Sequence, residues 1–502
     1  MDASPYDLLV IGGGINGTGI ARDAAGRGLR VLLCERGDLA EFTSSSSTKL
    51  IHGGLRYLEH YEFRLVREAL AERERLLRLA PHIIWPLRFV LPHDSGLRPA
   101  WMLRLGLFLY DHLARLRTLS GSASVALRTS PLGEPLQPRL TRGFAYSDCW
   151  VEDSRLVVLN AMDARARGAT IRTRTSVESA RREGEAWLAQ IRDVASGRAE
   201  TVRAGAIVNA AGPWVGETLG RTLGLDSRSS VRLIKGSHIV VRRLYDGEQA
   251  YILQQPDARI VFAIPYERDF TLIGTTDVPH AAEPGPVAIS EEETRYLCDC
   301  VNRSFRAAIG PADVVWSYSG VRPLFDDAAA NASAVTRDYV LDVDDGDGCA
   351  PVLSVFGGKI TTYRRLAEHA IEKLSAYWPR LGPAWTGAAV LPGGDMPEAD
   401  FERFLESVQN RYPFLPAASA RRLGRAYGTC IDEVLGAARR LADLGEVFGE
   451  DLTAVEVDYL VNREWACTVD DVLWRRSKLG LRFAPEERLR LEVYLERRAA
   501  VA

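Results

Sequence analysis

Apolar residues gather near the start of the chain in a run, Tyr6-Asp7-Leu8-Leu9-Val10-Ile11, that reads as a buried strand. It passes directly into Gly12-Gly13-Gly14-Ile15-Asn16-Gly17, after which small residues continue with helical spacing to Gly28. A second apolar run, Arg30-Val31-Leu32-Leu33-Cys34, predicts another strand and ends at Glu35. Far downstream, Ala206-Ile207-Val208-Asn209-Ala210-Ala211-Gly212-Pro213-Trp214 is again a strand pattern, stopped by small residues that let a ligand pass close to the backbone. From Val231 to Val278, apolar stretches (237–241, 250–253, 259–264 and 270–273) alternate with short turns, the spacing of an antiparallel sheet. Ser290, followed by Glu291, Glu292 and Glu293, reads as the capped start of a helix. Beyond Leu391-Pro392-Gly393-Gly394 the strand signals stop, and amphipathic helical spacing continues to Ala502.

These patterns predict an α/β + α architecture: a discontinuous Rossmann-like nucleotide domain, an antiparallel-sheet substrate domain and a C-terminal helical domain. The nucleotide domain is expected in three pieces, residues 1–75, 146–228 and 316–387. Residues 76–145 form an inserted cap, 229–315 the sheet and 388–502 the helical domain, whose role as cap, oligomer contact or membrane-facing base stays open. In the glycine turn, Gly12 permits the tight bend, Gly14 lets a pyrophosphate reach the backbone and Gly17 lets the helix pack close. The helix N-terminus then faces a diphosphate, and Glu35 accepts hydrogen bonds from a ribose diol.

Composition narrows the function. With 502 residues, 46% of them apolar, the chain can bury several cores; 63 basic against 66 acidic side chains leave a formal charge of −3 and no global field for nucleic acid. Seven scattered cysteines lack any repeated C-x-x-C spacing, so neither a disulfide framework nor a metal site is expected. Strand residues begin at Tyr6 with no signal-like segment before them, which predicts a cytoplasmic chain. No uncharged apolar window of spanning length occurs, so membrane contact would be from one side only. The segment 98–117, with Trp101, Phe108 and Tyr110 edging a broad apolar arc, fits either a bilayer interface or packing against the nucleotide domain. Only five of the cations are lysines, and Lys49, Lys235 and Lys359 fall inside the motifs considered next.

Between the early strands lies Thr43-Ser44-Ser45-Ser46-Ser47-Thr48-Lys49-Leu50-Ile51-His52-Gly53-Gly54-Leu55-Arg56-Tyr57-Leu58-Glu59, whose hydroxyls and backbone can wrap a flavin or form a plain surface linker. Taken with Lys235-Gly236-Ser237-His238, Ile273-Gly274-Thr275-Thr276-Asp277, Tyr318-Ser319-Gly320-Val321-Arg322-Pro323 and Phe356-Gly357-Gly358-Lys359-Ile360-Thr361-Thr362-Tyr363-Arg364, the order of motifs resembles FAD-dependent glycerol-3-phosphate dehydrogenase of the bacterial aerobic type, within the D-amino-acid oxidase and glycine oxidase superfamily. The resemblance implies non-covalent FAD, oxidation of glycerol 3-phosphate to dihydroxyacetone phosphate, and electrons passed to ubiquinone or menaquinone at the inner face of the cytoplasmic membrane. A homodimer is left open. The expected cofactor-binding residues are Gly12, Gly14, Ile15, Asn16, Gly17, Glu35, Arg36, Ser46, Ser47, Thr48, Lys49, His52, Gly53, Gly54, Leu55, Val177, Ala211, Gly212, Gly358, Ile360, Thr361 and Thr362.

Alcohol oxidation also needs cations for the phosphate and a base for the hydroxyl proton. Arg56 and Arg322 are the expected phosphate ligands, because guanidinium forks match phosphate oxygens, and Tyr57 adds a neutral hydrogen bond. Lys359, by the resemblance an active-site lysine, either strengthens the field at the flavin or touches substrate. His238 is the candidate base, against the alternative of a structural histidine in an apolar strand. Competing readings are a soluble oxidase using oxygen, an amino-acid oxidase and a flavin-binding protein without enzyme activity.

Overall fold

The computed structural model describes residues 6–94, 99–114, 118–226, 229–257, 259–326, 338–346 and 348–501, without the side chains of Arg56, His60 and Val501. The first strand, Tyr6–Ile11, is the centre of a mainly parallel sheet because both its faces are apolar: Leu8, Leu9 and Val10 are fully buried. It pairs in parallel with Val31–Cys34 on one side and Ala199–Asn209 on the other. Thr170–Arg172 and Val352–Phe356 extend the parallel set, and Val340–Asp344 closes one edge antiparallel. Helix Ile15–Gly26 packs against helices Asp153–Ala166 and Tyr363–Lys373. Gly19 permits that approach, since a Cβ there would stand 2.8 Å from the Tyr363 ring.

The alternation after Val231 folds into antiparallel strands Val231–Arg242, Ala250–Gln254, Ile260–Tyr266 and Phe270–Gly274. Their sheet has ten strands among the described residues, because Ile84–Pro92, Gly143–Val151 and Val314–Phe325 also join it, with the short Leu50–Ile51, Ala123–Val125 and Val278–Pro279. Val314–Phe325 lies antiparallel along the full length of Val231–Arg242, with Gly236 opposite Gly320 and His238 opposite Tyr318. Side chains alternate across a strand, so Gly236 and His238 share one face and Lys235 and Ser237 the other. On that second face Ser290 caps helix Glu291–Ser304, and Glu293 pairs with Lys235 at 2.7 Å while accepting from the hydroxyls of Ser237 and Thr276. Burial opposes ionisation of Glu293, but these donors and the Ser290 N–H hold its carboxyl below the usual range.

The C-terminal helices, including Ala417–Tyr427, Ala454–Glu464 and Pro485–Val501, share one apolar core with the parallel sheet's helices. Ion pairs cross the same boundary: Arg476 and Arg475 reach the buried Asp38 at 2.7 and 2.6 Å, Arg174 reaches Asp471 at 2.6 Å, and Arg155 pairs with Glu464. Buried pairs of this kind cost several kcal/mol to break even where they add little net stability.

Within the segment expected to face either membrane or protein, helix Ala100–His112 packs one side against the protein and leaves the other exposed. Leu107 and Tyr110 are buried, the Tyr110 hydroxyl donating to Asp148 at 2.8 Å, whereas Trp101, Met102, Leu105 and Phe108 are exposed. Arg98 and residues 115–117 at its ends lie outside the described residues.

Candidate active site

A cavity of about 470 Å³ lies between the two sheets. On the nucleotide side the glycine turn bends as its composition requires. Gly12 has φ +114°, and a Cβ on it would stand 2.6 Å from the Ala210 carbonyl oxygen. Gly17 stands behind the wall, not in it: its Cα faces the Gly12 carbonyl, where no side chain fits, so it acts by seating the helix on the turn. Glu35 reaches back to the turn, accepting the Gly13 N–H at 2.6 Å and the Gly37 N–H at 2.8 Å. Its burial raises its pKa against those two donors. Arg36 lies over the Trp214 ring at 4.1 Å, and Ser44 accepts the Ile15 N–H at 3.0 Å. Asn16 donates to the Gly357 carbonyl, while its Oδ1 is a buried acceptor with no partner within the protein.

Of the residues expected to bind cofactor, the turn residues Gly12, Gly14, Ile15 and Asn16 line this cavity, as do Glu35, Arg36 and Val177. Ser46, Ser47, Thr48 and His52 from the hydroxyl tract line it too, with Ala211, Gly212, Gly358, Ile360 and Thr361. Lys49, Gly53, Gly54, Leu55 and Thr362 do not. Lys49 is fully buried behind the tract, paired with Asp153 at 2.8 Å and donating to the Ser45 carbonyl, so it holds the loop from inside. Gly53 is packed under Leu70 and Tyr110, Gly54 bends the chain at φ +75° into the helical turn Leu55–His60, and Thr362 is buried at the start of the following helix. Wall residues outside the expected cofactor-binding set include Phe42, Thr175, Trp214 and Asp338. Trp214 directly follows the small-residue strand end and was the legible one.

The sheet side supplies the polar groups. His238, Gly236, Gly320, Arg322, Tyr57 and Lys359 all border the cavity. The two glycines keep the floor open: a Cβ on Gly320 would stand 2.5 Å from Ser46, and one on Gly236 would stand 2.7 Å from the Arg322 guanidinium. Arg322 donates to Asp277 Oδ1 at 2.6 Å and to the Thr276 carbonyl at 2.8 Å, which fixes its fork. Lys359 Nζ stands 4.2 Å from the Tyr57 ring centroid. The Arg56 side chain lies outside the described part of the structure. His238 is buried, with Nε2 3.0 Å from Thr48 Oγ1, Nδ1 without a partner, and its ring stacked on Tyr318 at 4.7 Å. Burial, then the cations Lys49 and Arg322, push its pKa well below the usual imidazole value, so it is neutral at pH 7.

Cradle and sheet together are those of an FAD-dependent oxidoreductase. The family model described as FAD dependent oxidoreductase matches residues 7–364, and that of the C-terminal domain of alpha-glycerophosphate oxidase matches residues 384–491. The chain is 55% identical to a Pseudomonas aeruginosa glycerol-3-phosphate dehydrogenase, over 98% of its own length and 96% of the relative. It is 53% identical to a Brucella abortus D-erythritol 1-phosphate dehydrogenase, over 96% of each. The crystal structure of a Bacillus halodurans glycerol-3-phosphate dehydrogenase complexed with FAD superposes with a TM-score of 0.76 at 28% identity, covering 99% of this chain and 95% of that one. The chain belongs to the FAD-dependent glycerol-3-phosphate dehydrogenases. The residues present fit that cofactor: the glycine turn opens onto the cavity, Glu35 stands at the strand end where ribose is bound, and the orphaned Asn16 Oδ1 awaits a donor.

Proposed function

We propose that this enzyme oxidises sn-glycerol 3-phosphate to dihydroxyacetone phosphate and delivers the electrons to a membrane quinone. The observation that carries the reading is one cavity wall bearing a neutral histidine, a braced arginine and a lysine beside a dinucleotide cradle. Bound FAD supplies a hydride acceptor for the C2 hydrogen. The protein's own part is to hold the phosphate, orient the carbinol and remove its hydroxyl proton.

Arg322 takes the phosphate, its fork already aimed by Asp277 and Thr276, and Lys359 adds a second positive charge. His238 receives the proton at Nδ1 while Nε2–H donates to Thr48, the tautomer that leaves the lone pair on the partnerless atom. Low basicity keeps the imidazole available as an acceptor at neutral pH.

The exposed Trp101, Met102, Leu105 and Phe108 support one-sided seating in a membrane surface at the cytoplasmic face; among the described residues no helix is long and apolar enough to cross a bilayer. Co-sedimentation with anionic vesicles, reduced in Trp101→Ser/Phe108→Ser, tests that seat. Anaerobic titration with glycerol 3-phosphate, watched through the flavin absorbance, tests the reaction. Full bleaching by glycerol 3-phosphate and weak bleaching by D-erythritol 1-phosphate is expected; the reverse order moves the chain to the Brucella relative's substrate. Quinone reduction without peroxide is expected on reoxidation, and stoichiometric peroxide identifies an oxidase.

A further inference from the structure

His238 has an unusual support. Hydrogen bonding fixes only one of its ring nitrogens, through Thr48, and the neighbouring strand offers Gly274, with no side chain, opposite it. What holds the plane of the ring is Tyr318, directly across the strand pair, stacked at 4.7 Å and 15°. Tyr318 donates its hydroxyl to the Ser47 carbonyl at 2.8 Å and leans on Trp316, two residues away on the same face, at 5.0 Å. Trp316 is in turn stacked on Trp474, at 4.3 Å and 12° between planes.

Trp474 comes from the C-terminal domain. It sits in the π-helical turn Asp471–Arg476, which the buried pairs of Arg475 and Arg476 with Asp38 and of Asp471 with Arg174 pin to the nucleotide domain. Gly480 makes room for it, since a Cβ there would stand 2.6 Å from the indole. The four rings form a continuous row of aromatic contacts, stacked at both ends and tilted by 41° between Trp316 and Tyr318, whose far end is anchored by charge and whose near end is the imidazole. Aromatic pairs of this geometry contribute direction as well as burial.

We propose that Trp474 is a positioning residue for His238: the C-terminal domain sets the plane of the imidazole at the active site through the stack Trp474–Trp316–Tyr318–His238. This rests on His238 acting in the reaction, and the test separates the two ideas.

Trp474→Leu, which keeps apolar bulk without a flat face, and Trp474→Phe, which keeps the face, are compared in the holoenzyme with His238→Ala and with the double variant His238→Ala/Trp474→Leu. The readouts are the limiting rate of anaerobic flavin reduction by glycerol 3-phosphate, the apparent substrate affinity, and the FAD dissociation constant. Trp474→Leu is expected to slow reduction about tenfold, because sub-ångström misplacement of a reacting group costs rate steeply, with FAD affinity unchanged. Trp474→Phe is expected within about twofold of wild type, and the double variant no slower than His238→Ala, the signature of two residues acting through one interaction.

Equal slowing by Trp474→Leu in both backgrounds, a matching loss of FAD affinity, or a wild-type rate in Trp474→Leu overturns the proposal. A wild-type rate in His238→Ala instead removes the histidine's role. Should Trp474→Leu not accumulate as folded holoenzyme, Trp316→Leu enters the same cycle with the same expectations.

Discussion

Gly274→Ala is the smallest change that reaches the histidine without touching the cavity. A Cβ at this position would stand 2.6 Å from His238 Cγ and 2.8 Å from Nε2, with Cδ2 nearer still. Carbon atoms rest at about 3.5 Å or more, so the ring must move by more than about 1 Å. Its hydrogen bond to Thr48, now 3.0 Å, shifts with it. Overpacking of one methyl costs about 1–3 kcal/mol of stability, too little to unfold a chain with cores of this size. Displacement of the proposed base by about 1 Å costs about a hundredfold in the chemical step. Stopped-flow reduction of the bound flavin under anaerobic conditions measures that step, and the flavin-to-protein ratio checks that the cofactor stays. A reduction rate within about twofold of wild type, with cofactor retained, refutes the argument that the ring's position matters.

Two further expectations come from buried charge. Asp38→Asn leaves Arg475 and Arg476 facing an amide where two ion pairs stood, and loses about 3–5 kcal/mol in denaturant unfolding. Because Asp38 lies three residues after Glu35, its FAD affinity is expected to fall as well, and an unchanged dissociation constant would show that the pair does not brace the ribose end. His82 is buried, and burial followed by the cations Arg155 and Arg425 lowers its pKa to about 3. The unfolded chain takes up this proton below about pH 6.5 and the folded chain only near the lowered value, so the stability His82 confers is complete above that pH and falls by about 1.4 kcal/mol per unit on acidification. His82→Gln is expected to flatten the slope of unfolding free energy against pH by that amount between about pH 6 and pH 4; an unaltered slope counts against it.

The cofactor half of the site was legible because its signals are local. Gly12 to Gly17 and Glu35 lie within one strand–helix–strand unit, where each glycine answers a backbone requirement and the acid has a fixed distance to cover. The lysines were less legible. Lys49 and Lys235 share motifs with site residues, yet both are turned away, Lys49 inward to Asp153 and Lys235 across the sheet to Glu293. Period-two alternation accounts for Lys235: three positions from His238, it must face the other side. The partners were beyond reach, since Asp153 and Glu293 lie 104 and 58 residues away, and no local pattern reports such distances. The same holds for Ile84–Pro92 and Gly143–Val151 as strands of the second sheet, and for the stacking of Trp474 on Trp316.

The site's charges also make the proposed base and the proposed phosphate ligand interdependent. After burial, Lys49 and Arg322 are the groups that depress His238, and Arg322 is also the cation proposed to receive the phosphate. A bound phosphate dianion offsets the guanidinium field, so the imidazole becomes more basic in the complex than in the free enzyme. The acid limb of kcat/KM reports the free enzyme and that of kcat the complex. The limb of kcat is therefore expected at the higher pH, since a base with a raised pKa is lost sooner on acidification. In Arg322→Ala the free enzyme's histidine loses one depressing charge, so the limb of kcat/KM moves up and the gap narrows. Coincident limbs in the wild-type enzyme, measured with a quinone analogue at saturating concentration, would mean that the phosphate does not sit where it can act on His238.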